Sequence, residues 1–64
     1  MAAPRFLAHD PRAGLEAWIR YDEKSLTYDI FADENCEEYI GNADTELAAT
    51  VIAENWFEDA AQSD

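Results

Sequence analysis

The chain is short of almost every residue that usually builds a reaction site. It has one cysteine, one histidine, two glycines, two prolines and four bases, of which Lys24 is the lysine. A lone Cys36 makes no internal disulfide, and with His9 it falls short of the four ligands of a structural zinc site. A reduced, cytoplasmic setting is expected. No run approaches the roughly 20 apolar residues of a membrane span, and Met1-Ala2-Ala3-Pro4-Arg5 does not lead into a signal-type apolar stretch. With so few glycines and prolines no linker divides the chain, so a single domain over 1–64 is expected. At 64 residues its core must be small, since such a chain buries only about 60% of its unfolded surface.

What is present is acid and hydrophobe. Fifteen acids against four bases leave a net charge of −11, while 48% of the residues are apolar, too many for a disordered acidic tail. Arg5, Arg12, Arg20 and Lys24 all fall in the first 24 residues, where Asp10, Glu16, Asp22 and Glu23 balance them. The remaining acids, Asp29, Asp33, Glu34, Glu37, Glu38, Asp44, Glu46, Glu54, Glu58, Asp59 and Asp64, have no base among them. A pI near 4.1 argues against binding nucleic acid or anionic lipid directly and favours a basic partner.

Periodicity predicts an α+β fold: a three-stranded antiparallel sheet packed by one C-terminal amphipathic helix. Ala49, Ile52, Ala53, Trp56 and Ala60 recur at helical spacing behind the cap candidates Asp44 and Thr45, giving a helix over 44–60 with Val51 and Phe57 flanking. Leu26, Tyr28, Ile30 and Ala32 alternate with polar or outward residues, as in a strand. Asp33-Glu34-Asn35 reads as a turn. Cys36–Ile40 then returns as a strand ended by Gly41-Asn42, or 34–40 forms a short acidic helix closed by Gly41. Segment 11–21 fits either period. A strand from about 16 to 22, after one helical turn at 11–14, is preferred. The meander thus covers 15–41 and the N-terminal segment 1–14. Ile19, Tyr21, Leu26, Tyr28, Ile30 and Ile40 are expected to meet Ile52, Ala53 and Trp56. Trp18, Phe31 and Tyr39 fall on the other sheet face, with Phe6-Leu7 as their cover or else a partner or dimer surface.

Catalysis needs a nucleophile beside a base in an enclosing pocket. His9 and Cys36 lie in separate segments, so a non-enzymatic protein is expected, without cofactor. Asp33-Glu34-Asn35-Cys36-Glu37 begins like a calcium loop, but its sixth position is Glu38 instead of glycine and its twelfth is Asp44 instead of glutamate. No metal site is expected. The acids as a set are a solubilising surface, a salt adaptation or a phosphate surrogate. Salt adaptation should spread acids over the whole chain, whereas the first third here is neutral.

Spacing suits the surrogate. Glu54 and Glu58 are one helical turn apart, about 5–6 Å at their roots, and Glu46 lies about 12 Å back along the axis. Asp29 and Asp33 would be about 13 Å apart on one side of a strand. DNA offers one phosphate per ~3.4 Å on each strand, so such rows can occupy several phosphate subsites. Glu58 and Asp59 also sit at the negative end of the helix dipole, each at a cost of about 0.3–1 kcal/mol. Such local conflicts tend to mark functional surfaces.

A tiny acidic chain with the segment Asp29-Ile30-Phe31-Ala32-Asp33-Glu34-Asn35-Cys36-Glu37-Glu38 resembles the phage-encoded DNA-mimic inhibitors. Among them, anti-CRISPR proteins against type I systems match it best in size. The resemblance implies a non-enzymatic inhibitor, acting in a bacterial host's cytoplasm, that occupies the DNA path of a CRISPR surveillance complex. Glu34, Glu37, Glu38, Glu54, Glu58 and Asp59 are the first candidates for partner binding, then Asp29, Asp33 and Glu46. The rival readings are an adaptor domain that binds through Trp18, Phe31 and Tyr39, and an antitoxin-like module that neutralises a basic toxin.

Mutual repulsion among these acids predicts a salt response. The melting temperature should rise between low salt and about 0.5 M as the charges are screened. A flat response, followed by circular dichroism, would mean that the acids are dispersed.

Overall fold

A computed structural model describes residues 3–62. Its elements are β1 (Arg5–Asp10), β2 (Leu15–Asp22), β3 (Thr27–Phe31), β4 (Tyr39–Ala43) and α1 (Glu46–Gln62). The strands form one antiparallel sheet in the order β1-β2-β3-β4. One helix packs on an antiparallel sheet, as the sequence predicts, but the sheet has four strands and not three.

The additional strand is β1, inside what reads as an N-terminal segment. Its alternation is interrupted by a register shift between Phe6 and Ala8. Arg5 pairs with Ile19, Phe6 with Trp18 and Ala8 with Ala17, so Leu7 is the extra residue. A bulge of this kind breaks the period-two pattern that identifies a strand. A second shift, between Ile30 and Phe31, lets Ile40 interrupt β4. The strand expected over Cys36–Ile40 is present but displaced, and no helix forms at 34–40. The chain turns through 32–38 and enters β4 only at Tyr39, with Gly41 and Asn42 inside the strand. The segment at 11–14 is a turn, and β2 follows it.

Each connection between strands contains a left-handed residue, Gly14 (φ 68°) and Leu26 (φ 58°) at the last position of theirs and Cys36 (φ 59°) within the third. Only the first is free of a Cβ penalty, and a left-handed leucine costs about 1–2 kcal/mol. The Leu26 amide donates to the Asp22 carbonyl at 2.8 Å, and the Lys24 amide to the Asp22 carboxylate at 2.9 Å. That amide, and then Ser25, hold the Asp22 carboxyl below its usual 3.8. Their contribution to stability is present above that pH and lost as the pH falls through the lowered value. Leu26 is therefore a turn residue, 66% exposed, and not the core residue that strand alternation predicts.

The core lies between the helix and one sheet face. Ala17, Ile19, Ile30 and Ala43 from the sheet meet Ala49, Ala53 and Phe57 from the helix. The alanines let the two backbones approach closely, and isoleucine and phenylalanine fill what remains. Leu7, Leu15, Tyr28, Ile40, Ile52 and Trp56 pack around this centre. Tyr21 stays at its margin, 37% exposed, with its ring 5.1 Å from that of Tyr28. The helix is capped by Thr45, whose hydroxyl accepts the Ala48 amide at 3.1 Å.

Relative to the predicted stripe, the helix is turned toward Phe57, which is 5% exposed, while Trp56 is half-buried beside it. Phe57→Ala should therefore cost about 3–5 kcal/mol and Trp56→Ala roughly half as much. A domain of this size has only about 3–10 kcal/mol to lose. Urea unfolding checks the ranking: a larger loss at Trp56 than at Phe57 would place the helix in the other rotation.

Candidate functional site

Strand directions decide where the acids go. β1 runs from Arg5 to Asp10, and the helix runs the same way. Its first residue, Glu46, bonds Arg5 at 3.0 Å, and Ala60 and Ala61 lie against Asp10, Arg12 and Ala13. β3 runs the same way as β1 and leaves the sheet at Phe31, opposite Trp18 and so level with Phe6, and from there the β3–β4 loop continues toward the end that bears the 11–14 turn. Loop 32–38 and the C-terminal half of the helix are thus directed toward one end of the molecule. Glu34, Glu37, Glu38, Glu58 and Asp59 are all exposed toward that end, with Glu54 one turn back. Arg12 is the base placed there, its Nε 3.8 Å from the Asp10 carboxylate. The acids do not make a flat row. Glu54 and Glu58 flank the side of the helix facing Pro11 and Arg12, and Asp59 is rotated about 100° from Glu58.

The other expected site residues are placed elsewhere. Glu46 is at the opposite end, where its hydrogen bond and then its charge raise the Arg5 guanidinium pKa further. Asp29 is half-buried on the face of the sheet away from the helix, opposite Arg20 and Asn42. Asp33 lies beyond the end of β3, so the expected strand spacing between Asp29 and Asp33 does not exist. Its carboxylate accepts the amides of Glu37 at 2.9 Å and Glu38 at 3.0 Å, while its carbonyl accepts that of Cys36 at 3.1 Å. Asp33 thus shapes the loop that presents Glu34, Glu37 and Glu38. No sequence pattern separates such a loop-closing carboxylate from its exposed neighbours.

The sheet face away from the helix carries a second feature. Phe6, Trp18, Phe31 and Tyr39 are in register across all four strands. Phe6 meets Trp18 edge-on at 5.5 Å and Phe31 meets Tyr39 at 5.8 Å. The Arg20 guanidinium stacks over Phe31 at 5.1 Å, and Glu16 accepts the Trp18 indole N–H at 2.9 Å. Trp18, Phe31 and Tyr39 occupy the face that alternation assigns them. Phe6 does not cover them, because β1 is part of the sheet and Phe6 extends the row. Phe6 and Arg20 are the residues that sequence reasoning missed here, the first for want of a strand to place it on.

A shallow groove of about 490 Å³ runs between Ala8–Arg12 and the helix at Glu54 and Glu58. His9 lines it, whereas Cys36 sits in the β3–β4 loop, so the two side chains suited to nucleophilic chemistry are on different parts of the fold. Among the described residues no three His, Cys, Asp or Glu side chains converge as metal ligands, and no helix is long and apolar enough to cross a membrane. Comparison with known proteins gives no match: no family model matches the chain, and neither does a curated protein or a solved structure.

The role of Asp33 is open to direct measurement. Asp33→Ala removes the acceptor for two amides and should lower stability by about 1–2 kcal/mol, while Asp33→Asn retains one acceptor oxygen and should lose less than half of that. Equal losses in urea unfolding would show that charge, and not hydrogen bonding, sets the loop.

Proposed function

We propose that this chain is a non-enzymatic inhibitor that occupies a basic nucleic-acid-binding surface of another protein, its carboxylates taking the place of phosphates. The observation that carries the proposal is that Glu34, Glu37, Glu38, Glu54, Glu58 and Asp59, from two segments far apart in the chain, are all exposed and directed toward the same end, with Arg12 the base beside Glu54 and Glu58. The helix contributes a further argument. Its last turn has no base, so the dipole and the acids point the same sign of field at a partner. A CRISPR surveillance complex is the target that the resemblance to type I anti-CRISPR proteins suggests.

The aromatic row favours a second reading, an accessory domain that binds a protein through its sheet. The two separate on salt and on substitution. Inhibition by acidic mimicry should compete with DNA for the surveillance complex and weaken steeply with salt. Glu54→Lys with Glu58→Lys should weaken binding at least about tenfold while leaving the fold intact, since both side chains are exposed and the new charges suit the helix C-terminus. Reversal at Glu34, Glu37 and Glu38 should do the same. Competition binding on an immobilised complex reads both. If all these reversals are silent while Phe6→Ala or Tyr39→Ala abolishes binding, the second reading replaces the first.

A further inference from the structure

The helix covers one face of the sheet and leaves the other to solvent. On that face Phe6 is 49% and Tyr39 57% exposed, and Trp18 is half-buried between strands. With strands about 4.8 Å apart, the row from Phe6 to Tyr39 spans ~14 Å. We propose that this row is a docking surface for an extended, arginine-bearing segment of a partner protein, laid across the strands. The inference rests on the second reading above, that the sheet face binds a protein, and adds what that face binds.

Three observations select arginine. First, the row already holds a guanidinium: Arg20 lies over Phe31 at 5.1 Å, and Phe31 is only 6% exposed. Among the described residues no Lys or Arg lies over Phe6, Trp18 or Tyr39, although the His9 ring is 5.8 Å from that of Phe6, so Trp18 and Tyr39 above all remain to be stacked by a guanidinium. Second, carboxylates flank the rings. Glu16 spends one oxygen on the Trp18 indole, which fixes the ring and leaves the other oxygen to accept; Asp29, opposite Arg20, stands two pairs further along β2 and β3 on the same face. A guanidinium is suited to both partners at once, because it stacks on an aromatic face and donates in its own plane. Third, the chain carries a net charge of −11. A second copy docking here would bring two such chains face to face, and a nucleic acid stacking its bases on the row would bring phosphates to the same field. A basic segment is complementary to it.

The spacing fits as well. An extended segment rises about 3.3 Å per residue and repeats a side every ~6.6 Å, so two or three alternate arginines cover the row. Lysine, a strongly hydrated point charge, would use the carboxylates but not the stacking.

The test uses synthetic peptides and the full chain, with amide and indole resonances followed by NMR at about 150 mM salt. The probes are an alternating Arg-Thr peptide, the Lys-Thr peptide of equal charge, and an uncharged Leu-Thr peptide. The Arg peptide should shift the Trp18 indole resonance and bind about three- to fivefold more tightly than the Lys peptide. Phe6→Ala and Tyr39→Ala should each weaken it by a similar factor. Both side chains are largely exposed, and an unchanged amide spectrum establishes that each variant is folded. Glu54→Lys with Glu58→Lys should leave the Trp18 shift in place. Equal affinity for the Arg and Lys peptides, or shifts confined to residues 34–38 and 54–59, would reduce the effect to bulk charge and overturn the proposal. A Trp18 shift with the Leu peptide alone would overturn arginine recognition but keep the face as a binding surface. Silence of all three peptides would overturn both, as would a dimer in sedimentation that Tyr39→Arg dissociates.

Discussion

One helix must serve a four-stranded sheet, and the rest of the structure depends on that imbalance. The helix covers a single face, so a single thin layer holds the fold together. Ala49 and Ala53 sit flush against Ala17 and Ala43, and Ile19, Ile30 and Phe57 supply the bulk. Small residues at the contact bring the elements close, but each buries little area, so the larger side chains carry a large share of the stabilisation. The same economy leaves the opposite sheet face without a layer of its own. Among the described residues its aromatic row is met by its own contacts, by Arg20 over Phe31, by His9 beside Phe6 and by Glu16 on the Trp18 indole.

Charge is arranged around this layer without entering it. No polar or charged side chain is buried among the described residues. The bases are used locally: Arg5 on Glu46, Arg12 beside Asp10 and Arg20 over Phe31. The acids of the loop and of the helix C-terminus have no such neighbours in sequence, and the fold adds none but Arg12. Repulsion there opposes folding, and the helix dipole adds to it. Stability alone would favour a lysine in the last helical turn. Its absence is the strongest physical argument that this end serves something other than the fold.

Where the sequence was legible, a single period ran unbroken. The helix shows 3.6-residue spacing from Ala49 to Ala60, and β3 alternates cleanly enough to place Phe31 away from the helix, whereas β2 fits either period and only the preferred strand reading places Trp18 there. Where it was illegible, a local feature broke the period. The bulges at Leu7 and Ile40 each insert one residue, which hid β1 and displaced β4. Leu26 continues the alternation of β3 in sequence, yet its positive φ makes it the end of a turn. Trp56 and Phe57 are adjacent in sequence and about 100° apart around the helix, so the apolar spacing admits either rotation, and the structure takes the one that buries Phe57 with Ala49 and Ala53. The candidate acids were visible as a charged tail, but their convergence depends on helix direction, which composition does not contain. Asp33 and Asp29 left the group because hydrogen bonding and register reassign them.

The acidic end and the aromatic face are continuous. Glu38 leads directly into Tyr39, and Glu16 stands beside Trp18 on the strand that emerges from the 11–14 turn. A basic partner that reaches one therefore passes the other. The two surfaces act on different quantities. Under the proposed reading, exposed carboxylates toward one end of a molecule 37 Å along its longest axis would act at a distance, on the rate of encounter. Aromatic rings act only in contact and set the lifetime of what has arrived. Under this division salt changes association while ring truncation changes dissociation. Were one partner to use both surfaces, the two proposed readings would describe successive stages of a single binding event.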